Sequence, residues 1–173
     1  MSKPNPLPIL VDRCGVKLGV LRRVLPQIYG HYATLHKLVR APVLKPKIHK
    51  LLCDLTLTEW GRSSDPGTRQ LLWDCYFPGY QPHIWHVLYY MLEIPMTQLV
   101  GKSGLTESAI RKYLPQPRVP QRHLRAIGRF AIEYRNAMSS KRSKGGVDLR
   151  YMILHSALTD PKRIRQHGKI YLE

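Results

Sequence analysis

The chain has 173 residues, 43% of them apolar, enough for a real core in one domain or two small ones. Its 28 Lys and Arg stand against 11 Asp and Glu, a net charge of +17, and an excess of that size draws polyanions, chiefly nucleic acid, ahead of a membrane surface or an acidic protein. No apolar run approaches the ~18 residues of a membrane span, MSKPNPLPIL lacks a signal peptide's apolar core, and the odd, well-spaced set Cys14, Cys53 and Cys75 fits reduced thiols of a cytoplasmic protein better than a disulfide framework.

In chain order, residues 1–8 hold three prolines and no periodicity, and read as a flexible arm of the kind that lies along DNA or stays a free end. Residues 9–80 read as an N-terminal helical region. Leu21, Val24, Leu25, Ile28, Tyr32, Leu35 and Val39 recur at helical spacing, with Pro26 dividing the segment. The run 42–61 suits helix or strand by pattern, and its helical neighbours favour helix. Asp65-Pro66 opens a further helix, with Asp as N-cap and Pro at the first helical position. Phe77-Pro78-Gly79-Tyr80 is a turn and the expected boundary.

The next segment, 81–138, carries the clearest local grammar. Residues 83–93 read as an apolar helix. Met96–Ser103 is a second, closed by Gly104, whose missing Cβ permits the positive φ of a helix C′ position. Thr106 is a good N-cap for a third helix, over 106–114, and Leu105 with Ile110 has the spacing of a hydrophobic staple. Pro115 and Pro117 end it. If Leu99, Leu105, Ile110, Tyr113 and Leu114 face inward, Glu107, Ser108, Arg111 and Lys112 are left outside. That is an outer face suited to a DNA major groove, and equally to the solvated side of a helical hairpin.

Residues 115–120 are a stiff connector. The helix 121–138 is amphipathic through Leu124, Ile127, Ala131, Tyr134 and Met138, with Arg118, Arg122, Arg125 and Arg129 along one flank. Between residues 102 and 144, eleven cations meet only Glu107 and Glu133, a net +9 of the chain's +17. That concentration favours nucleic acid over a merely solvated surface. Residues 139–147 read as a basic linker and 148–173 as a last helix and basic tail.

The residues Leu99-Val100, Gly104-Leu105-Thr106, Ile110 and Tyr113, flanked by apolar helices, resemble the Cro/phage-repressor (XRE-type) helix-turn-helix domain over residues 83–134. Val100 stands where that family has a small alanine, and Met96 where it often has a DNA-contacting glutamine. The resemblance implies DNA binding through the second helix of the motif, at Thr106, Glu107, Ser108, Arg111 and Lys112.

Other chemistry finds little footing. Cys75, His83 and His86 are the tightest Cys/His group, but their spacing matches no common zinc pattern, and no metal or cofactor is expected. The carboxylates are scattered, and no Walker loop, GxSxG or CxxC occurs, so the chain does not read as an enzyme. Trp85, Tyr89 and Tyr90 suit a core better than a stacking platform for single strands. The expectation is an all-α protein: a helical N-terminal region, a Cro-like helix-turn-helix bundle and a basic C-terminal tail. Its expected partner is double-stranded DNA, with transcription regulation as the simplest role. The alternatives are RNA binding and a non-catalytic place in a larger nucleoprotein assembly, and a homodimer would suit a palindromic site. No membrane partner is expected.

Overall fold

A computed structural model describes residues 3–26, 32–141 and 148–170. The chain is all-α, with no strand among the described residues. It divides into two compact units, Met1–Gly79 and Tyr80–Glu173, one residue from the expected boundary at 80/81.

The first unit holds α1 (Leu7–Asp12), α2 (Leu18–Val24), α3 (Tyr32–Arg40), α4 (Pro46–Leu51), α5 (Cys53–Arg62) and α6 (Pro66–Asp74). The ambiguous stretch 42–61 is helical, as α4 and α5. Asp65 caps α6 as its sequence suggests, accepting from Thr68 N at 2.9 Å and from the Thr68 hydroxyl. The core is aromatic where α5 meets α6. Trp60 and Trp73 lie 4.9 Å apart and Trp73 and Phe77 4.6 Å, tilted as aromatic pairs prefer. Cys53 and Cys75 are free and buried, and burial pushes both thiols up to about 12, which leaves them unreactive at neutral pH.

The arm expected over 1–8 is not free from residue 3 onward. Asn5 is buried, and its amide donates to Leu38 O at 2.6 Å and Ala41 O at 2.8 Å, closing the last turn of α3. Its Oδ1 accepts from Leu7 N. Leu7 and Leu10 are fully buried. The prolines that suggested disorder instead surround the first turn of α1, where a missing N–H removes a donor that has no helical partner anyway. Residues 1 and 2 of that expected arm lie outside the described residues.

The second unit begins with α7 (Ile84–His86), which continues as a π-helical turn, Val87–Met91. The single α-helix expected over 83–93 is therefore corrected. Leu92 N bonds Val87 O, and Ile94 N reaches back to Leu88 O. Glu93 takes a φ of +53°, which ends the helix before Pro95. Then follow α8 (Met96–Ser103), α9 (Glu107–Tyr113), α10 (Gln121–Ser140), α11 (Leu149–Thr159) and α12 (Pro161–His167). Trp85 and Tyr90 are core residues, and Tyr89 is half-buried.

The basic tail is also corrected, because much of it is α12. Asp160 caps this helix through Lys162 N, Pro161 opens it, and Arg163 is buried with Nη1 donating to Pro82 O. Beyond α12 the chain returns to α10. Gln121 donates to Lys169 O, and Ile170 sits so close to Gly128 that a Cβ there would collide with it. Most of the expected linker, 142–147, and the last three residues lie outside the described residues.

Removing the Asn5 clamp strips two hydrogen bonds from the end of α3 and one from the start of α1. Asn5→Ala is expected to destabilise α3 by about 2 kcal/mol, read as roughly 30-fold faster amide exchange across it. Exchange unchanged there would show that the clamp adds nothing.

Candidate nucleic-acid interface

The sequence of α8, turn and α9 dictates its own geometry. Gly104 takes φ +71°, and its N–H bonds Val100 O to close α8. Ser103 Oγ accepts from Leu105 N, and Thr106 Oγ1 accepts from Ala109 N at 3.2 Å, which starts α9. Leu99, Ile110 and Leu114 are buried, while Leu105 and Tyr113 are half-buried. With the inner face so fixed, helical spacing turns Thr106, Glu107, Ser108, Arg111 and Lys112 outward, and all five are exposed.

The nine residues singled out from sequence fall into two groups on two helices and one lone residue. Those five form the outer face of α9. Arg122, Arg125 and Arg129 are exposed along α10, opposite its buried Leu124, Ile127, Gly128 and Ala131. Helix α8 links the two helices, since it packs on both α9 and α10. Arg118 is in the connector, exposed, with its guanidinium 5.6 Å from the Tyr80 ring.

Arg111 is not a loose cation. Its Nε lies 2.7 Å from Glu107 Oε1, one turn earlier, and both side chains are more than half exposed. Glu107 holds its pKa above the ordinary arginine value, with a further contribution from Tyr89. An exposed i, i+4 pair of this kind is worth well under about 1 kcal/mol, so it orients the guanidinium yet yields readily to a phosphate or a base edge. Lys112 Nζ lies 5.6 Å from the ring of Tyr113.

The end of α9 is held by two residues that sequence reading weighed only as weak metal candidates or as a satisfied surface histidine. His83 and His86 are buried and stacked, with ring centroids 3.4 Å apart. Each Nδ1 accepts the other's backbone N–H at 3.3 Å, a reciprocal cap on α7. The proton of each ring is therefore on Nε2, which donates to Gln116 O at 3.1 Å from His83 and to Leu114 O at 2.7 Å from His86. All four ring nitrogens are thereby engaged. No group of three or more His, Cys, Asp or Glu suited to a metal occurs among the described residues. His167 meets the His83 ring edge-on at 5.8 Å and bonds Gln81 O. Histidines spaced i, i+3 mark a helix face in the sequence, but no local signal gives partners some thirty residues away. Tyr89 was likewise missed as a neighbour of Arg111, because the π-helical turn that carries it has no pattern of its own.

Comparison with known proteins finds no relative: no family model matches, nor does any curated protein or solved structure. Among the described residues no helix is long and apolar enough to cross a membrane.

Burial lowers the pKa of both imidazoles, His86 to about 3, and the neighbouring histidines lower His83 further. With folded-state values below the unfolded ~6.5, the stability these groups provide is complete above that pH and is lost as the pH falls from about 6.5 toward 3, at up to about 1.4 kcal/mol per pH unit for each histidine. The melting temperature is expected to hold above pH 7 and to fall between pH 6.5 and 5. His86→Gln, whose amide can still donate to Leu114 O, should flatten that fall by one histidine's share; an unaltered slope would exclude His86 as its source.

Proposed function

We propose that the chain is a sequence-directed, double-stranded-DNA-binding protein that lays α9 in the major groove, acting without catalysis, most simply as a transcription regulator. The observation that carries this reading is the split of α9. Its apolar side is buried against the unit's core, and every polar residue from Thr106 to Lys112 is exposed. In the reading, Arg111 and Lys112 approach base edges, where cations favour guanine, and Ser108 and Glu107 add choice among bases. Thr106, at the turn, meets a phosphate. Arg118, Arg122, Arg125 and Arg129 supply salt-dependent attraction to the backbone. The resemblance to the Cro/phage-repressor motif supports the same assignment through the Gly104 turn and the Thr106 cap, both present in the fold.

A second reading is a non-catalytic nucleic-acid-holding subunit of a larger assembly. It is favoured by the spread of uncompensated positive charge over both units. Binding to random duplex DNA at near-physiological salt, with sequencing of the retained molecules, separates the two. One recovered motif supports the regulator, and a palindromic motif adds a dimer. Retention without a motif supports the holding subunit, and preference for structured RNA in competition defeats the DNA assignment.

On a recovered site, Arg111→Ala is expected to weaken binding by about 1–3 kcal/mol and to relax selectivity at one base pair. A loss of equal size on every sequence would make Arg111 a phosphate contact instead.

A further inference from the structure

Between Asp12 and Asp54 the chain has nine Lys and Arg and no carboxylate over 41 residues, a local charge of +9. This segment is in the first unit, apart from α8, α9 and α10, and its charge equals that of the 102–144 stretch. Part of it falls on two consecutive helices, α3 and α4, joined by the short connection 41–45. Lys37 and Arg40 are one turn apart on α3 and exposed, and Lys47 and Lys50 are one turn apart on α4 and exposed. Lys45 is the exposed N-cap residue of α4.

Buried Leu35 and Leu44 anchor the two helices and the short connection between them. The Asn5 amide fixes the end of α3 by its bonds to Leu38 O and Ala41 O. The same N-terminal segment brings Lys3, also exposed, near α4, where its charge helps to lower the pKa of His49. A merely solvated surface intersperses both signs. Here like charges are held on ordered backbone with no carboxylate from their own segment between them, an arrangement that suits a ligand bringing regularly spaced negative charge.

We propose that the α3–α4 region, through Lys3, Lys37, Arg40, Lys45, Lys47 and Lys50, is a second binding surface for the phosphodiester backbone of nucleic acid. Its part is salt-dependent attraction to the backbone, with no base choice assigned to it. The inference does not depend on the assignment of α9, since its residues, unit and readout are separate.

The experiment uses the full chain. Lys37, Arg40, Lys45 and Lys47 are changed together to Gln, and a control of the same net charge has Arg150, Lys162, Arg165 and Lys169 changed to Gln. Affinity for a random-sequence DNA duplex and for an RNA duplex is measured by fluorescence anisotropy across a salt series, in the native background and with Arg111→Ala and Lys112→Ala added. Circular dichroism and the melting temperature verify folding. Each phosphate contact contributes about 0.9 to the slope of log affinity against log salt. The α3–α4 variant is expected to lose about 2–4 of that slope on DNA, RNA or both, in either background, and the control about 1 or less. A slope unchanged on both duplexes overturns the proposal, and so does an equal loss in the control, which would make the effect one of diffuse net charge. Unchanged duplex binding with lost binding to phosphatidylglycerol vesicles overturns it in favour of a lipid surface.

Discussion

The second unit depends on how the carbonyls at the end of α9 are satisfied. A helix leaves its last carbonyls without helical donors, and the residues that follow ordinarily supply backbone N–H groups to close them. Here the following residues include Pro115 and Pro117, which have no N–H to give. Backbone N–H groups still reach Ile110 O, from Leu114, and Tyr113 O, from Gln116, while the next carbonyls, of Leu114 and Gln116, take their donors from His86 and His83. The histidine bonds need both imidazoles neutral and protonated on Nε2, and burial together with the reciprocal Nδ1 cap enforces that state. The angle at which α9 leaves the turn is set by Gly104 and Thr106 at one end and by two histidines from α7 at the other. Its outer face is thus a consequence of buried polar bonding as much as of apolar packing.

Charge in this protein is left uncompensated because acids are few, and several of them sit at helix starts. Of eleven carboxylates, Asp65, Asp148 and Asp160 are occupied as N-caps on backbone N–H groups. A further one, Glu107, is paired with Arg111 within a single helix. Eleven acids cannot balance 28 Lys and Arg wherever they sit, so the basic excess extends over both units. The cations rest on rigid supports: on α10 they ride opposite a buried apolar ridge, and in the α3–α4 region they flank a turn clamped by Asn5. Such preplaced charge attracts an anionic polymer at little cost in ordering.

The elements were legible wherever a signal is contained within one turn of chain. Gly104, Thr106 and the Asp65-Pro66 pair each announce a helix boundary because their effect acts on neighbouring backbone groups. Asp160-Pro161 carries the same announcement, yet the run of cations after it masks a short helix as a tail. The prolines of residues 1–8 mislead in the opposite sense, since they suit a first helical turn as well as they suit disorder. The acid-free stretch from 13 to 53 is a property of composition alone, while its support on ordered helices is not.

By itself, the sequence determined the all-α class, most helix boundaries, the exposed identity of the α9 face and the basic field, because capping, periodicity and net charge are local or additive properties. Tertiary structure alone decided that His83 and His86 close α9, that Asn5 closes α3, that Ile170 fills the notch at Gly128, and that a π-helical turn sets Tyr89 near Arg111. Most of these join groups some thirty to forty residues apart. The partner of a buried donor is chosen by whichever carbonyl the packed chain delivers to it, and that delivery exists only once the core has formed.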